Sequence, residues 1–375
     1  MNTDFETKYN QKTMKHFIPV NAVLGLVLVA SCAVPYSLEE PEAFIPEEDS
    51  LLVSVTFSAS GSPGTKVTGV TEDAERAIGR WCVFAFDSQG RFRYGDSGAG
   101  NPIELKLSAG RTYTCHAICN YPVSGPGAFD PASVRTPADL SGKIAWAGDN
   151  RADALLMYGT SEVTPGAGDN PPLTINVKRL VSRIDIRSLK VDFSGKPYLE
   201  SKTFTLRAIY LTNIYRTTRY GTDYTFAELS ATRSAWYNTG GWHRGEEADS
   251  GIDSLVGDLG IDTVVSASAP YERAHSFYVF PNPTSTGNDI KTTESWTRRC
   301  TRLVIEATID SDIVYYAIDA PAMERNRIYA ASEVTIHGRG SKDPEIIDID
   351  PDIIEVTLQP VINDSWNGRG NIILD

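Results

Sequence analysis

The sequence predicts an all-β protein made of two tandem β-sandwich domains. Within many short segments, apolar and polar residues alternate one by one along the chain. Gly, Pro, Asn or Asp marks a turn about every ten residues. The three-to-four-residue spacing of an amphipathic helix is almost absent. About 340 residues follow an amino-terminal export segment, more than one hydrophobic core usually holds, so we expect two domains.

Composition narrows the classes of protein. Hydrophobic residues make up 41% of the chain, enough for well-packed cores. The formal net charge of −13 argues against a nucleic-acid partner and suits a soluble extracellular surface. No glycine-rich phosphate loop and no zinc spacing of His or Cys is present, so we expect no cofactor.

The first segment is an export signal. Residues 17–30 are apolar apart from Asn21 and are too few to cross a bilayer, which needs roughly twenty. Small residues then lead directly into Cys32, as in a bacterial lipobox. We therefore expect 1–32 to be a lipoprotein signal peptide and Cys32 to carry the lipid. Residues 33–50 are rich in Pro, Glu and Ser and predict a flexible tether.

The amino-terminal sandwich is expected over 51–172. Its first strand, 51–60, alternates strictly and directs four apolar side chains to one face: Leu51, Val53, Val55 and Phe57. A loop is predicted next at 61–69 and a short helical turn at 72–80. Residues 81–92 predict a strand, a turn at Asp87–Gly90 and the start of the partner strand, and residues 103–122 predict a hairpin.

The carboxyl-terminal sandwich is expected over 173–375, after a composition break at 166–172. Its strand patterns lie at 173–191, 204–216, 277–283, 302–320 and 327–340. Residues 232–270 are rich in Gly, Ser and Asp and predict a long surface excursion. The closing stretch, 353–361, alternates again and aligns three apolar side chains, Ile354, Val356 and Leu358.

Catalytic and metal motifs are suggested but incomplete. The sequence GDSGAG at 95–100 has the look of a serine-protease nucleophile loop, yet none of the five histidines stands in a matching context, so a turn is expected. The acidic stretch at 348–355 has calcium-loop spacing but lacks the required Gly and Glu. We therefore expect no catalytic and no metal-binding residues.

The cysteines other than Cys32 leave two alternatives open. Cys82, Cys115, Cys119 and Cys300 are either paired in disulfides or buried as thiols. Cys115 and Cys119 lie about 13 Å apart along a strand, too far to bond each other.

In the order of its segments, the chain resembles the fimbrillin family, the subunits of Bacteroidales type V pili. The resemblance covers nearly the whole length and is carried by the lipobox with its acidic tether, the alternating first strand with a basic loop after it, WCVFAFDSQGRF, LSAGRTYTCHAICNYP, MYGTSEV, LTINVKRLVSRIDI, FYVFPNP and RNRIYAASEVTIHGRGSKDP.

The resemblance implies two transthyretin-like β-sandwich domains. It also implies export as an outer-membrane lipoprotein, trimming by a trypsin-like protease, and polymerisation with other pilus subunits into a cell-surface fimbrium, as a homo- or heteropolymer. The family's cut follows a basic residue in the loop after the first strand. The matching residue here is Lys66, with Arg76 and Arg80 as fallbacks.

The two alternating segments suggest how subunits join. Removal of the 51–60 strand would expose an apolar groove and unpaired backbone groups, a template for another chain. The 353–361 strand of a second subunit matches that pattern and could fill the groove by donor-strand complementation. The alternative is that 353–361 is merely the last strand of its own domain.

Other functions remain open at this point. One is a pilus anchor that keeps its lipid uncut, or a tip subunit. Another is a monomeric lipoprotein that binds glycans through Trp236, Tyr237 and Trp242. An enzyme is disfavoured because no nucleophile or carboxylate pair stands out. A ligand on a host or bacterial surface stays open.

Overall fold

The computed structural model describes residues 50–59, 72–99, 103–168, 172–225, 236–237, 257–285, 290–291, 296–297, 300–331, 333–343, 353–355 and 359–361. They all belong to one unit, Pro46–Asp375; a second unit, Met1–Ile45, contains none of them. The predicted signal peptide 1–32 with Cys32, residues 33–49 of the predicted tether and Lys66 thus lie outside the described residues.

The first half contains eight strands and two short helices within the described ranges. They are β1 (Ser50–Ala59), α1 (Glu72–Arg76), β2 (Trp81–Asp87), β3 (Phe92–Gly98), β4 (Ile103–Ser108), β5 (Tyr113–Cys119), α2 (Pro137–Ser141), β6 (Ile144–Trp146), β7 (Met157–Val163) and β8 (Leu173–Arg179). Two 3-10 turns, Pro131–Ser133 and Ala147–Asp149, flank α2 and β6.

Seven of these strands form one sheet in the order β3-β2-β5-β7-β8-β1-β4. Every neighbouring pair is antiparallel except β1 and β8, which run parallel. Buried and exposed residues alternate along β4 and β8, as expected for strands with one solvated face. In β2 the first six residues are all buried, so this strand is covered on both faces.

As far as the structure describes it, the second half contains one short helix and strands that are mostly shorter than those of the first half. They are β9 (Ser182–Ile186), β10 (Leu189–Val191), α3 (Pro197–Glu200), β11 (Phe204–Thr212), β12 (Ile214–Tyr215), β13 (Thr217–Arg219), β14 (Trp236–Tyr237), β15 (Gly257–Asp258), β16 (Thr263–Val264), β17 (His275–Val279), β18 (Ile290–Lys291), β19 (Trp296–Thr297), β20 (Arg302–Ile309), β21 (Asp312–Asp319), β22 (Ile328–Ala331), β23 (Val334–Ile336), β24 (Ile354–Glu355) and β25 (Gln359–Val361).

Three sheets organise the second half. One has the order β15-β11-β20-β21 with β16 also pairing β11, the second β17-β9-β22-β25, and the third β10-β23-β24. The first strands of this half, β9 and β10, run parallel to the late strands β22 and β23. The same relation holds between β1 and β8, so each half begins with a strand laid parallel to one of its last strands.

The larger of two hydrophobic clusters among the described residues runs through both halves, from Val53 to Ile336. Its members come from the inward faces of the strands, and aromatic residues fill much of its volume. Ring pairs such as Phe84 with Phe129, at 6.3 Å between centroids, pack edge to face. The all-β prediction is confirmed.

The predicted domain boundary at residue 172 falls before the last strand of the first sheet. Residues 173–179 form β8, which hydrogen-bonds to β7 and β1, so the sheet of the first half extends to Arg179. The composition break at 166–172 is the loop between two neighbouring strands of that sheet. The division into two sandwich domains stays a prediction.

The described residues settle three smaller points. No helix among them is long and apolar enough to cross a membrane. No group of three or more His, Cys, Asp or Glu among them could hold a metal ion. The four cysteines outside the signal segment are buried thiols without a disulfide, and burial raises the pKa of Cys115 to about 12.

Candidate assembly site

The first strand completes the seven-stranded sheet from within. Residues 50–55 pair antiparallel with β4, and residues 55–59 pair parallel with β8, so that β1 bridges the two strands and overlaps both only at Val55. Among the described strands, β4 has β1 as its sole ladder neighbour. Departure of β1 would therefore leave a slot bordered by the backbone of β4 along 50–55 and by that of β8 along 55–59.

The side chains of β1 follow the predicted alternation. Val53 and Val55 have no exposed surface and Phe57 has 2%, whereas Leu52 is 57% exposed on the opposite face. Leu51, the first residue of the predicted apolar set, is only half-buried because it lies near the start of the strand. Three side chains rather than four thus fill the interior of the slot.

Apolar residues line the slot on both sides. The Phe57 ring packs on Trp81 of β2, with 6.1 Å between the ring centroids. On the outer face, the hydroxyl oxygens of Thr56 and Thr174 lie 3.4 Å apart. The walls contribute the buried side chains Ile103, Leu105 and Leu107 from β4 and Leu173, Ile175 and Val177 from β8.

Of the three candidate cleavage residues, the structure describes Arg76 and Arg80 but not Lys66. Lys66 lies outside the described residues, as does the rest of the 60–71 segment. Arg76 ends α1 and is half-buried, and Arg80 places its guanidinium 5.6 Å from the centre of the Tyr121 ring. Both fallback positions are therefore held against the body.

The described parts of the closing stretch lie on the edges of its own sheets. Ile354 and Glu355 pair with β23, and residues 359–361 pair with β22. The Ile353 carbonyl accepts hydrogen bonds from the backbone N–H of His337 at 2.8 Å and of Gly338 at 3.1 Å. Ile354 is half-buried against the core. Val356 and Leu358 lie outside the described residues.

The structure adds little support for a catalytic, glycan-binding or calcium site. In the GDSGAG stretch, residues 95–98 belong to β3 and pair with β2 rather than forming a nucleophile loop. The ring of His116 contacts the Tyr158 hydroxyl at 2.6 Å, and the ring of His275 contacts the Tyr271 hydroxyl at 2.8 Å. Trp236 and Tyr237 form β14, and Trp242 lies outside the described residues, as do residues 348–352 of the acidic calcium-like stretch.

A buried group of charged residues was missed by the sequence reasoning. Glu75, Arg179, Arg183 and Asp185 are each at most 8% exposed and lie together beneath α1. The pattern over 173–191 predicts strand, but it does not indicate that all five residues of β9 are buried. The available signal was the strand SRIDI itself, in which charged residues stand between apolar ones with no turn residue to expose them.

The fold and this site define a class of all-β protein whose first strand fills a slot bordered by two later strands, β4 and β8. The family model for fimbrillin-A associated anchor proteins Mfa1 and Mfa2 matches residues 47–238, more than half of the 375 residues, and the chain belongs to that family. It is accordingly a cell-surface fimbrial component that interacts with other fimbrial subunits. The matched region contains α1 and the whole seven-stranded sheet.

Solved structures share the fold. A protein from Bacteroides eggerthii, provisionally described as a cell adhesion protein, superposes with a TM-score of 0.58 at 20% identity, covering 85% of this chain and 97% of that one. A similarly described protein from Parabacteroides distasonis gives a TM-score of 0.55 at 14% identity, with 83% and 98% covered. A fimbrilin from Porphyromonas gingivalis gives 0.51 at 16%, with 82% and 96% covered. No curated protein matches the chain significantly.

Proposed function

We propose that this chain is a structural pilus subunit that is exported as a lipoprotein through Cys32, cut after Lys66, and polymerised by donor-strand exchange. In this proposal β1 is a temporary occupant of its slot. The closing stretch of another subunit, with Ile354, Val356 and Leu358 directed inward, replaces it. The single observation that carries the proposal is the position of β1 between β4 and β8, with its apolar face buried.

The slot offers an incoming strand both kinds of stabilisation. Each buried large apolar side chain contributes roughly 1.5–3 kcal/mol, so three of them contribute about 5–9 kcal/mol. Each ladder hydrogen bond adds about 0.5–1.5 kcal/mol. Because the donor belongs to one subunit and the slot to another, the joint is head-to-tail and produces an open filament.

The closing stretch is well placed to leave its own subunit. Its described residues lie at the outer edges of two sheets, where Ile354–Glu355 pairs with β23 and Gln359–Val361 pairs with β22. Release of the described parts of the tail breaks ladders of two and three residue pairs, whereas removal of β1 breaks ladders of six and five pairs. The tail can therefore be released at lower cost than the strand it would replace.

Proteolysis explains the direction of the exchange. In the uncut chain β1 is tethered to the body, which gives it an effective concentration of the order of millimolar at its slot. A separate subunit cannot match this at ordinary concentrations. A cut in the connecting loop turns β1 into a fragment that can dissociate. A donor strand from a subunit of a growing filament can then replace β1 in the slot.

Limited trypsin treatment tests this proposal. We expect one early cut after Lys66 by mass spectrometry, followed by filaments in electron micrographs. Lys66→Gln should block both events, while the matched variant Arg80→Gln should be cut and should polymerise like the wild type. A trimmed chain that stays monomeric, or a wild-type chain that resists trypsin, would overturn donor-strand polymerisation.

An anchor is the second candidate, because the matched family model is described as one of anchor proteins. An anchor would keep its lipid and its first strand and would offer its own tail, or another edge, to the first polymerised subunit. Mass spectrometry of the protein recovered from the outer membrane separates the two. A chain beginning at lipidated Cys32 supports an anchor, and one beginning after Lys66 supports a stalk subunit.

A further inference from the structure

A buried carboxylate fixes the helix that follows the first strand. Glu75 of α1 is 2% exposed, and its two carboxylate oxygens accept hydrogen bonds from Nη1 of Arg183 at 2.8 and 2.9 Å. The hydroxyl of Tyr278, on β17, donates to the same carboxylate. Glu75 is thus held by residues that lie more than a hundred positions further along the chain.

Arg183 also pairs with a second buried carboxylate. Nη2 of Arg183 donates to Asp185 at 3.0 Å, and the hydroxyl of Ser276 donates to the other oxygen of Asp185 at 2.8 Å. Nε of Arg179 donates to the backbone carbonyl of Glu75 at 3.0 Å. Arg183 therefore lies between two buried carboxylates, and the removal of Glu75 would leave buried arginine charge less compensated.

Both flanks of the 60–71 segment are attached to the same strand, β8. On the upstream side, Ala59 pairs with Val177. On the downstream side, the carbonyl of Glu75 bonds to the side chain of Arg179, two residues further along β8. The upstream flank belongs to the departing strand, and the downstream flank is tied to the buried charges.

We propose that Glu75, with Arg179, Arg183, Asp185 and Tyr278, retains α1 in the body of the subunit after β1 has left. This inference rests on the proposed function and adds a limit to it: a productive cut lies before α1. A cut after Arg76 would let Glu75 leave with β1, which would remove the carboxylate that Nη1 of Arg183 contacts and the backbone carbonyl that accepts from Nε of Arg179. Cleavage at either fallback position, Arg76 or Arg80, should consequently yield an unstable subunit rather than a filament.

Hydrogen–deuterium exchange of the intact chain tests the retention directly. The peptide covering 72–80 should be protected in the wild type and equally protected in Asp73→Asn, a matched change of an exposed carboxylate on the same helix. Glu75→Gln should raise its exchange rate at least tenfold and lower Tm by roughly 5 °C or more. Tyr278→Phe, which removes only a hydroxyl, should shift both quantities in the same direction by less.

Trypsin trimming of the same variants then tests the limit. The wild type and Asp73→Asn should stop at a product that still contains α1, and Glu75→Gln should be cut further, after Arg76 or Arg80. Equal exchange at 72–80 in Glu75→Gln and Asp73→Asn would overturn the inference, as would a wild-type product that begins after Arg76 and still polymerises. Retention of α1 in a trimmed chain that forms no filament would leave the inference standing and refute the proposed function.

Discussion

Phe57 gives the sharpest test of how firmly the first strand is held. Its ring is 2% exposed and packs on Trp81, so Phe57→Ala removes a large buried side chain from the interior of the slot. Truncations of this kind destabilise proteins by about 3–5 kcal/mol. Leu52 lies on the same strand but is 57% exposed, and Leu52→Ala should change stability by no more than about 0.5 kcal/mol.

Urea unfolding of the intact chain measures the change in unfolding free energy for each variant. A second assay measures the rate at which the trimmed form of each variant exchanges its first strand. We expect Phe57→Ala to lower the unfolding free energy by about 3–5 kcal/mol and to accelerate exchange, because the strand is held less tightly. Leu52→Ala should leave both quantities near wild type. A loss below about 1 kcal/mol for Phe57→Ala, or equal losses for the two variants, would refute the view that the inward face of β1 holds it in the slot.

Three further predictions follow from individual positions. Val356→Asp should abolish filaments while the trimmed monomer keeps its circular dichroism spectrum, and normal filaments would exclude the tail as donor. Gly159→Ala should destabilise the chain by about 1–3 kcal/mol in urea, because the added Cβ would lie 2.4 Å from the carbonyl oxygen of Asn176, and an unchanged midpoint would contradict that contact. Burial lowers the pKa of His275, so the unfolded chain takes up the proton first and stability falls as pH drops below about 6.5; His275→Gln should shrink that fall, and an unchanged fall would contradict it.

Short-range patterns predicted the parts of the fold that depend on local physics. The alternation along 51–60 located β1 and the faces of Val53, Val55 and Phe57, because a strand with one buried face has a period of two. The helical turn expected in 72–80 is α1. The hairpin expected in 103–122 is wrong: a turn at Gly110, whose φ is positive, joins β4 and β5, but β4 pairs with β1 whereas β5 pairs with β2 and β7.

Features that depend on contacts between distant residues could not be predicted from local sequence patterns. The composition break at 166–172, where a domain boundary is expected, is the loop before β8, and the pairing of β8 with β1 depends on residues more than a hundred positions away. The role of Glu75 could not be read from EDAER, since its partners Arg183 and Tyr278 come from two later strands. Lys66, Val356 and Leu358 remain predictions from the sequence.

Competition between two peptides tests the central claim most directly. A labelled peptide of residues 353–361 should bind the trimmed chain, fail to bind the intact chain, and be displaced by an unlabelled peptide of residues 50–59. The same donor peptide carrying Asp at position 356 should not bind. Equal binding to intact and trimmed chains, or binding that the 50–59 peptide cannot displace, would contradict a shared slot.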